Sequence, residues 1–390
     1  MQIRHGINEL SVLTYIKYSL GFWGCGGFFP WKSPPRASPL NCNLFKLRRK
    51  MARKRIIACI LAFAVTIAVL LFFSRLTMPK YTESSREGNL ISEYYRAIDN
   101  GERHDVIFIG DCEAYSSFCP VILWEECGIT SFVRGSPSQS MAQSYHILCE
   151  TLELETPTVV VFSVYALCRE GGAKEAYNRM TLDGMRPSVY KLRAVLESKS
   201  YGESALSYFL PLLRFHSRWG EISYEDIKYF FSSPAVSHNG YFLRLETVPF
   251  EEMEKNDVAP YDLPWVNFEY LDKMREVCKR TGVELVLVKA PLDSWRYPWY
   301  AEWSEEIKKY ADRYDIKYYD LTENIFEIGI DTEEDSYDGG LHLNVYGAEK
   351  TTRFLSEKLK RYISVPHTEE ERRIWSIKRE LYYKERNKDD

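Results

Sequence analysis

Short apolar runs bounded by polar residues recur along the chain between longer amphipathic stretches. Five of these runs are rich in β-branched, leucine or aromatic residues and have the length of β-strands. The stretches between them show the spacing of apolar side chains that is typical of helices. This alternation predicts a three-layer α/β/α fold with a mainly parallel sheet. The predicted strands are 106–109, 131–133, 159–163, 284–289 and 317–320, and the predicted helices include 141–152, 267–280, 303–314 and 345–362.

The segment 168–263 interrupts the alternation. Helical patterns at 188–196 and 208–215 run through it without a pair of strands, so we predict a largely helical insertion that covers the strand ends. Large rings are frequent there and in the run WRYPWYAEW at 295–303. Such density is common in clefts that bind glycans and also in ordinary cores, and both interpretations stay open. The rings are Tyr201, Tyr208, Phe215, Trp219, Tyr224, Tyr229, Phe230, Trp295, Tyr297, Trp299, Tyr300 and Trp303.

An uncharged apolar run, 56–74, precedes the sheet-forming region. It is long enough to cross a bilayer core of roughly 30 Å at about 1.5 Å per residue. A cleaved signal peptide is the competing interpretation, but FFSRLTMPK offers no small-x-small cleavage site. Seven basic residues lie between positions 46 and 55, and such clusters stay in the cytoplasm. We therefore predict a single-pass helix in the cytoplasmic membrane, with the amino terminus inside and the carboxyl-terminal domain outside.

Residues 1–50 are a mixture of Trp, Gly, Pro and Cys without periodicity. Met51 directly precedes ARKR and the apolar run. We expect 1–50 to be a disordered tail or the product of an upstream start, 51–76 to be the basic flank and anchor, and 77–390 to be the extracytoplasmic domain. The first 55 residues contain eleven basic residues and one acidic residue, which gives a net charge of +10. Because the whole chain has a net charge of −4, the remainder carries −14. An acidic domain argues against a nucleic-acid partner.

The cysteines after the anchor show no C-x-x-C pair and no Cys/His spacing of a zinc site. No phosphate-binding glycine loop is visible either, so we predict neither a metal nor a cofactor. Most of these cysteines are expected to be small buried apolar residues, with a bridge between Cys119 and Cys127 as the alternative in an exported protein. The full set is Cys112, Cys119, Cys127, Cys149, Cys168 and Cys278.

Cys112 follows the first predicted strand, in IFIGDCEAYSSF, at the sheet edge where open α/β folds bind ligands. Asp338 and His342 precede the last predicted helix, in DSYDGGLHLNVYG. A cysteine thiolate is a strong nucleophile, and a histidine oriented by a carboxylate serves as its base. The Gly-Gly turn lets Asp338 reach the ring, with Asp335 as a more distant alternative. We therefore predict Cys112, His342 and Asp338 as the catalytic residues.

These motifs, together with SFVRGSPSQS after the second predicted strand, resemble the blocks of the SGNH/GDSL hydrolase superfamily over roughly 105–362. The likeness is strongest to its membrane-anchored bacterial branch, which includes teichoic-acid D-alanylation proteins of the DltD type and O-acetyl esterases and transferases of envelope polysaccharides. It implies ester or acyl chemistry at the sheet edge. The oxyanion hole would use the main chain at Cys112 and Gly135, with Gln139 as a side-chain donor. The alternatives are a turn glycine and a solvated helix cap.

Two positions depart from the family pattern. Cys112 stands where the family carries its nucleophilic serine, and Val164-Tyr165 stands where a third block supplies an asparagine. The flanking Asp111 and Glu113 also oppose the formation of a thiolate. The resemblance therefore leaves open whether the site is active.

Two functions of different class follow from the sequence. The first is a membrane-anchored SGNH-like esterase or O-acyltransferase that acts on acyl esters, expected to be O-acetyl, of a cell-envelope glycan. Its nucleophile is Cys112, or else Ser116 or Ser117. The second is a catalytically degenerate protein of the same fold that binds the glycan or assists envelope assembly. The expected partners are a cell-envelope polysaccharide or its acyl ester and, through one helix, the lipid bilayer.

Overall fold

A computed structural model describes residues 39–80, 90–169, 174–231, 235–250, 263–291, 299–362 and 366–388. Two compact units divide the chain, Met1–Thr66 and Ile67–Asp390. Helix α1, Pro39–Thr77, crosses the boundary between them. Its residues up to Thr66 are the described part of the first unit, and its last turns belong to the second unit. Most of the predicted tail, 1–38, lies outside the described residues.

The second unit alternates strands with helices. Its strands are β1 Val106–Gly110, β2 Ser131–Gly135, β3 Val159–Ser163, β4 Glu284–Lys289 and β5 Lys317–Asp320. The helices up to the fourth strand are α2 Leu90–Asp99, α3 Cys112–Ser117, α4 Pro120–Cys127, α5 Met141–Leu154, α6 Glu175–Leu182, α7 Val189–Ser198, α8 Leu212–Phe215, α9 Tyr224–Phe231 and α10 Trp265–Thr281. The later ones are α11 Tyr300–Tyr314, α12 Ile325–Ile328, α13 Val345–Leu359 and α14 Glu369–Arg386.

All five strands are parallel and lie in the order β2-β1-β3-β4-β5. Each predicted strand is present, with β1 longer by one residue and β2 by two. The predicted α/β class with a parallel sheet is therefore confirmed.

Alternate residues of each strand enter two different cores, as the two-residue period of a strand requires. Ile107 and Ile109 of β1 pack in one core with side chains of α5, α10 and α11. Val106 and Phe108 pack in the other with side chains of α3, α4 and α13. Helices thus cover both faces of the sheet, which gives the predicted three layers.

The chain leaves β1 for β2 on one side and crosses back to β3 on the other, so the carboxyl end of β1 lies at the switch point of the sheet. Such points open a crevice in doubly wound folds. Gly110, the last residue of β1, approaches β3 closely: a Cβ there would lie 2.6 Å from the Cβ of Ser163. Only glycine lets the two strand ends come this near.

The stretch between β3 and α10 contains α6 to α9 and three short 3-10 helices, Val164–Cys168, Ala205–Tyr208 and His216–Glu221. Within its described residues there is no strand, only an isolated bridge between His238 and Tyr241. Its rings do not share one environment: Tyr208 is buried, whereas Tyr201 and Trp219 are exposed. Trp295 and Tyr297, from the second aromatic run, lie outside the described residues.

Helix α14 was not anticipated from the sequence. Thr368 and Glu371 form a capping box at its start. Its apolar residues are few and widely spaced, but Trp375 and Tyr382 are buried, and Trp375 stacks on Trp124 at 5.3 Å. A helix rich in charged residues is stabilised here by tertiary packing of a few large rings.

The alternative of a bridge between Cys119 and Cys127 is wrong. Both thiols are free, and the two residues lie at opposite ends of α4. Eight residues of helix separate Cα atoms by about 12 Å, well beyond the reach of a disulfide.

Over Arg48–Thr77, helix α1 is apolar enough and, at 30 residues, long enough to cross a membrane. Its side chains from Met51 to Val69 are all exposed. Exposed apolar surface of this extent is typical of a segment whose solvent is lipid.

Candidate active site

Cys112 is the first residue of α3, two residues beyond the carboxyl end of β1. Asp111 caps this helix, since its Oδ1 accepts the backbone N–H of Glu113 at 3.1 Å. The Cys112 side chain is partly exposed, whereas the rest of α3 is buried. The strand-to-helix turn therefore presents the thiol at the edge of the sheet.

A tight turn before α13 brings Asp338 onto His342. The Nδ1 atom of His342 lies 2.6 Å from Asp338 Oδ2, and the backbone N–H of His342 donates to Asp338 Oδ1 at 2.8 Å. Gly339 and Gly340, between them, have φ angles of 76° and 95°, a conformation that is costly for any residue with a Cβ. The Ser336 hydroxyl accepts the N–H groups of Asp338 and Gly340 and fixes the turn.

His342 also meets Cys112. Burial alone would lower the pKa of His342, but hydrogen bonds to Asp338 and to Cys112, with the charges on both, raise this pKa to about 10. Asp338 occupies Nδ1, which leaves Nε2 as the nitrogen that can serve Cys112. Tyr337 stacks on the imidazole with ring centroids 5.6 Å apart and planes within 8°. A ring held in this way stabilises the imidazolium that forms when His342 accepts the proton of Cys112.

Arg169, which the sequence did not single out, reaches the same place from the turn after β3. Its Nη2 lies 2.5 Å from Asp111 Oδ2 and 3.8 Å from Cys112 Sγ. Burial would lower the pKa of Arg169, but Asp111 and Cys112 raise it, so the guanidinium stays charged. Its Nη1 is buried and has no hydrogen-bond partner among the described residues. The sequence signal that could have indicated this role was the position of Arg169, shortly after the carboxyl end of the central strand β3.

Lys289, the last residue of β4, forms a fully buried ion pair with Glu113 at 2.9 Å. Burial raises the pKa of Glu113 to about 7, the charge on Asp111 adds to this rise, and Lys289 opposes it. A lone lysine at the end of an apolar strand was the sequence signal for this pair. Both carboxylates that flank Cys112 thus face a cation, which corrects the expectation that they oppose a thiolate unaided.

Gly135 and Gln139 have different surroundings. A Cβ on Gly135 would lie 3.1 Å from the carbonyl oxygen of Asp111, so its main chain borders the turn that holds Cys112. Gln139 is fully buried, and its amide donates to Ser144 Oγ at 3.1 Å and to the Arg134 carbonyl oxygen at 3.4 Å. Both donors of the Gln139 amide are thus used by residues of β2 and α5. This geometry does not support the expected oxyanion role of Gln139.

Asp335, the alternative to Asp338, is engaged elsewhere. Its Oδ2 accepts the backbone N–H of Asp331 at 2.6 Å and the Lys350 ammonium at 2.7 Å. Asp338, in contrast, binds His342 through both carboxylate oxygens. The geometry therefore favours Asp338 as the carboxylate that orients the ring.

Ser116 and Ser117, the alternatives to Cys112, are both buried in α3. The Ser116 hydroxyl donates to the carbonyl oxygen of Cys112 at 2.7 Å, a bond to the preceding helical turn. Neither hydroxyl has the partly exposed position of the Cys112 thiol. Within the described part of the chain, no group of three or more His, Cys, Asp or Glu side chains forms a metal site.

No family model and no curated protein matches the sequence. Among solved structures, the chain is similar to a protein assigned to the lipolytic G-D-S-L family from Desulfitobacterium hafniense, at 12% identity and a TM-score of 0.32, over 67% of this chain and 100% of that one. It is also similar to a GDSL-like lipase from Bacteroides thetaiotaomicron, at 11% identity and a TM-score of 0.34, over 70% of this chain and 100% of that one. TM-scores this low carry no argument about activity.

Removing one member of the ion pair of Glu113 and Lys289 should destabilise the domain by about 3–5 kcal/mol, because the other charge is left buried and uncompensated. Glu113→Gln and Lys289→Met are the single changes, and the double variant should recover most of the loss. Thermal unfolding of the detergent-solubilised protein measures all three. Losses that simply add in the double variant would contradict this account.

The same pair has a pH signature. Since the pKa of Glu113 is raised, its contribution to stability is fully present below the ordinary value and is lost as pH rises through about 7. The Lys289→Met variant should therefore be less destabilised at acidic pH than at alkaline pH.

Proposed function

We propose that residues 77–390 form a thiol-dependent esterase or acyltransferase. The observation that carries this proposal is His342, which is held by Asp338 on one side and meets Cys112 on the other. A nucleophile, a base and an orienting carboxylate in this order are what acyl transfer through a covalent intermediate requires. The resemblance of the surrounding motifs to SGNH hydrolases supports ester chemistry.

In the first half-reaction, Cys112 Sγ attacks the carbonyl carbon of the ester and forms a C–S bond. The thiol proton passes to His342 Nε2. The ester C–O bond then breaks, and His342 returns this proton to the departing alkoxide oxygen. The products are a free alcohol and an acyl thioester on Cys112.

In the second half-reaction, water or a sugar hydroxyl attacks the thioester carbon and gives up its proton to His342 Nε2. The C–S bond breaks, and the sulfur of Cys112 recovers that proton. Water as the acceptor gives hydrolysis, and a sugar hydroxyl gives transfer. Throughout, Asp338 accepts the Nδ1–H group, so Nε2 alone exchanges protons.

Negative charge develops on the former carbonyl oxygen in both half-reactions. We assign its stabilisation to the backbone N–H groups of Cys112 and Gly135 and to Nη1 of Arg169. The support for Arg169 is its distance of 3.8 Å from the nucleophilic sulfur and a buried donor without a partner among the described residues. Arg169 would thereby replace the asparagine that the third family block usually supplies.

For the substrate we propose an O-acyl ester, expected to be O-acetyl, of a cell-envelope glycan. The support is topological: the helix Arg48–Thr77 can cross a membrane, and basic residues precede its apolar run. In this proposal the acidic domain lies outside the cytoplasmic membrane, where envelope glycans are exposed to it.

The full-length protein in detergent should hydrolyse p-nitrophenyl acetate with a stoichiometric burst, because acylation of Cys112 precedes deacylation. Cys112→Ala should abolish the burst and the turnover, whereas Cys112→Ser should retain a fraction of the activity. Cys127→Ala is the matched control, since Cys127 is also partly buried but lies at the far end of α4. Undiminished activity in Cys112→Ala would contradict the proposal, and glycan binding by a wild-type protein without turnover would select the degenerate binding function.

His342→Ala should lower kcat/KM by at least about a hundredfold, the usual scale for a general base. Asp338→Ala should cost less, and the double variant should be little worse than His342→Ala, because the two residues act as a unit. Asp335→Asn is the nearly isosteric control. The assignment fails if the two losses add, or if Asp335→Asn is more damaging than Asp338→Ala.

Arg169→Lys should separate the two roles that this residue can have. The charge beside Cys112 is kept, so alkylation of Cys112 by iodoacetamide should proceed at nearly the wild-type rate. The second donor is lost, so kcat should fall by about 10²–10³, the scale for one oxyanion donor. Parallel losses of alkylation and turnover would show that Arg169 stabilises the thiolate and not the oxyanion.

A further inference from the structure

The last turns of α1 pack against the helical insertion. Their partners come from α8, from the 3-10 helix His216–Glu221 and from α9. The contacts join the Leu212 N–H to Ser74 Oγ (3.3 Å), Arg218 Nη1 to the Thr77 carbonyl oxygen (2.8 Å), and the rings of Phe230 and Trp219 to those of Phe72 and Phe73 (5.1 and 5.2 Å). The insertion therefore lies at the level where the apolar run of α1 ends.

Helix α9 has an exposed apolar stripe next to this contact. Tyr224, Ile227 and Phe231 are 76%, 46% and 79% exposed, and their spacing of three and four residues puts them on one face. Phe230, which touches Phe72, borders the stripe, while Asp226 on the opposite side of the helix is buried. A stripe of large apolar side chains open to water is unfavourable unless something covers it.

We infer that this stripe lies in the interface of the same bilayer that α1 crosses, so that α9 is a surface-bound helix. The inference rests on the proposed membrane-spanning role of α1 and is independent of the chemistry at Cys112. Phe72 is itself 44% exposed and belongs to the apolar run, so its neighbour Phe230 lies where that run meets the headgroups. Trp and Tyr are enriched at this level of membrane proteins, and Trp219 against Phe73 and the exposed Tyr224 are of these types.

The dimensions agree with this position. Residues 72–77 of α1 rise about 8 Å along the helix axis, within the depth of about 5–10 Å at which interfacial helices bury their apolar face. The contacts of the insertion with α1 fall on these same residues.

The charges near the stripe point to apolar insertion instead of electrostatic attraction. Lys228 pairs with Glu225 at 3.6 Å, and Arg218 lies within 3.7 Å of Asp226 and close to Glu221. Arg75 and Lys80 lie over the rings of Phe230 and Tyr229, so four cations stand against three carboxylates and the net charge of the group is only +1. Such a small net charge leaves little field for an anionic ligand. The occupant that fits is therefore the headgroup region of an uncharged or weakly charged bilayer.

A photoreactive p-benzoylphenylalanine tests the inference in the full-length protein reconstituted in phosphatidylcholine nanodiscs. Placed at Phe231 or Ile227, the probe should yield lipid adducts several-fold above those from Glu225 on the same helix. Phe326 of α12, 95% exposed, is the control for a large ring on another element and should also give few adducts. Raising the salt concentration should leave the adducts at Phe231 unchanged.

A probe at Val65, within the apolar run of α1, separates the two possible failures. Lipid adducts at Val65 without adducts at Phe231, or cross-links from Phe231 to protein alone, would overturn the inference and leave the anchor intact. Absence of adducts at Val65 would overturn the anchor and the inference together. Adducts at Phe326 equal to those at Phe231 would also contradict a specific interfacial position.

Discussion

Charge compensation around Cys112 is the interaction on which the candidate site depends. Asp111 and Glu113 are buried on either side of the nucleophile, and Arg169 and Lys289 each neutralise one of them. Arg169 comes after β3, and Lys289 is the last residue of β4. These two strands follow β1 on one side of the sheet. The order of strands in the sheet therefore determines whether a thiolate at Cys112 is electrostatically acceptable.

The other half of the site is held by α13. Thr352 of this helix accepts the backbone N–H of Cys119 at 2.9 Å and donates to the Ser117 carbonyl oxygen at 3.3 Å, so it joins α13 to the α3–α4 turn. At the start of the loop that contains His342, Asp335 binds Lys350 of the same helix. Asp335, the alternative orienting carboxylate, thus ties this loop to α13. The packing of α13 therefore sets the distance between the base, His342, and the nucleophile, Cys112.

The sequence was sufficient where the signal is local. Five apolar runs with polar boundaries predicted the parallel strands, and two glycines between Asp338 and His342 predicted the turn that joins them. It was insufficient where partners meet through space, because nothing near Arg169 in the chain indicates Asp111. The hydrogen-bond partners of Gln139 could not be predicted either, because they depend on the loop conformation after β2, where Ser138 has a positive φ of 51°.

The central claim is that Cys112 carries the acyl group between donor and acceptor. Brief incubation of the full-length protein with p-nitrophenyl acetate, followed by an acid quench, digestion and peptide mass spectrometry, tests it directly. The account predicts the mass of one acetyl group on the peptide with Cys112, removed by neutral hydroxylamine as a thioester is. A hydroxylamine-resistant acetyl group on Ser116 or Ser117, or turnover without any acylated peptide, would contradict it.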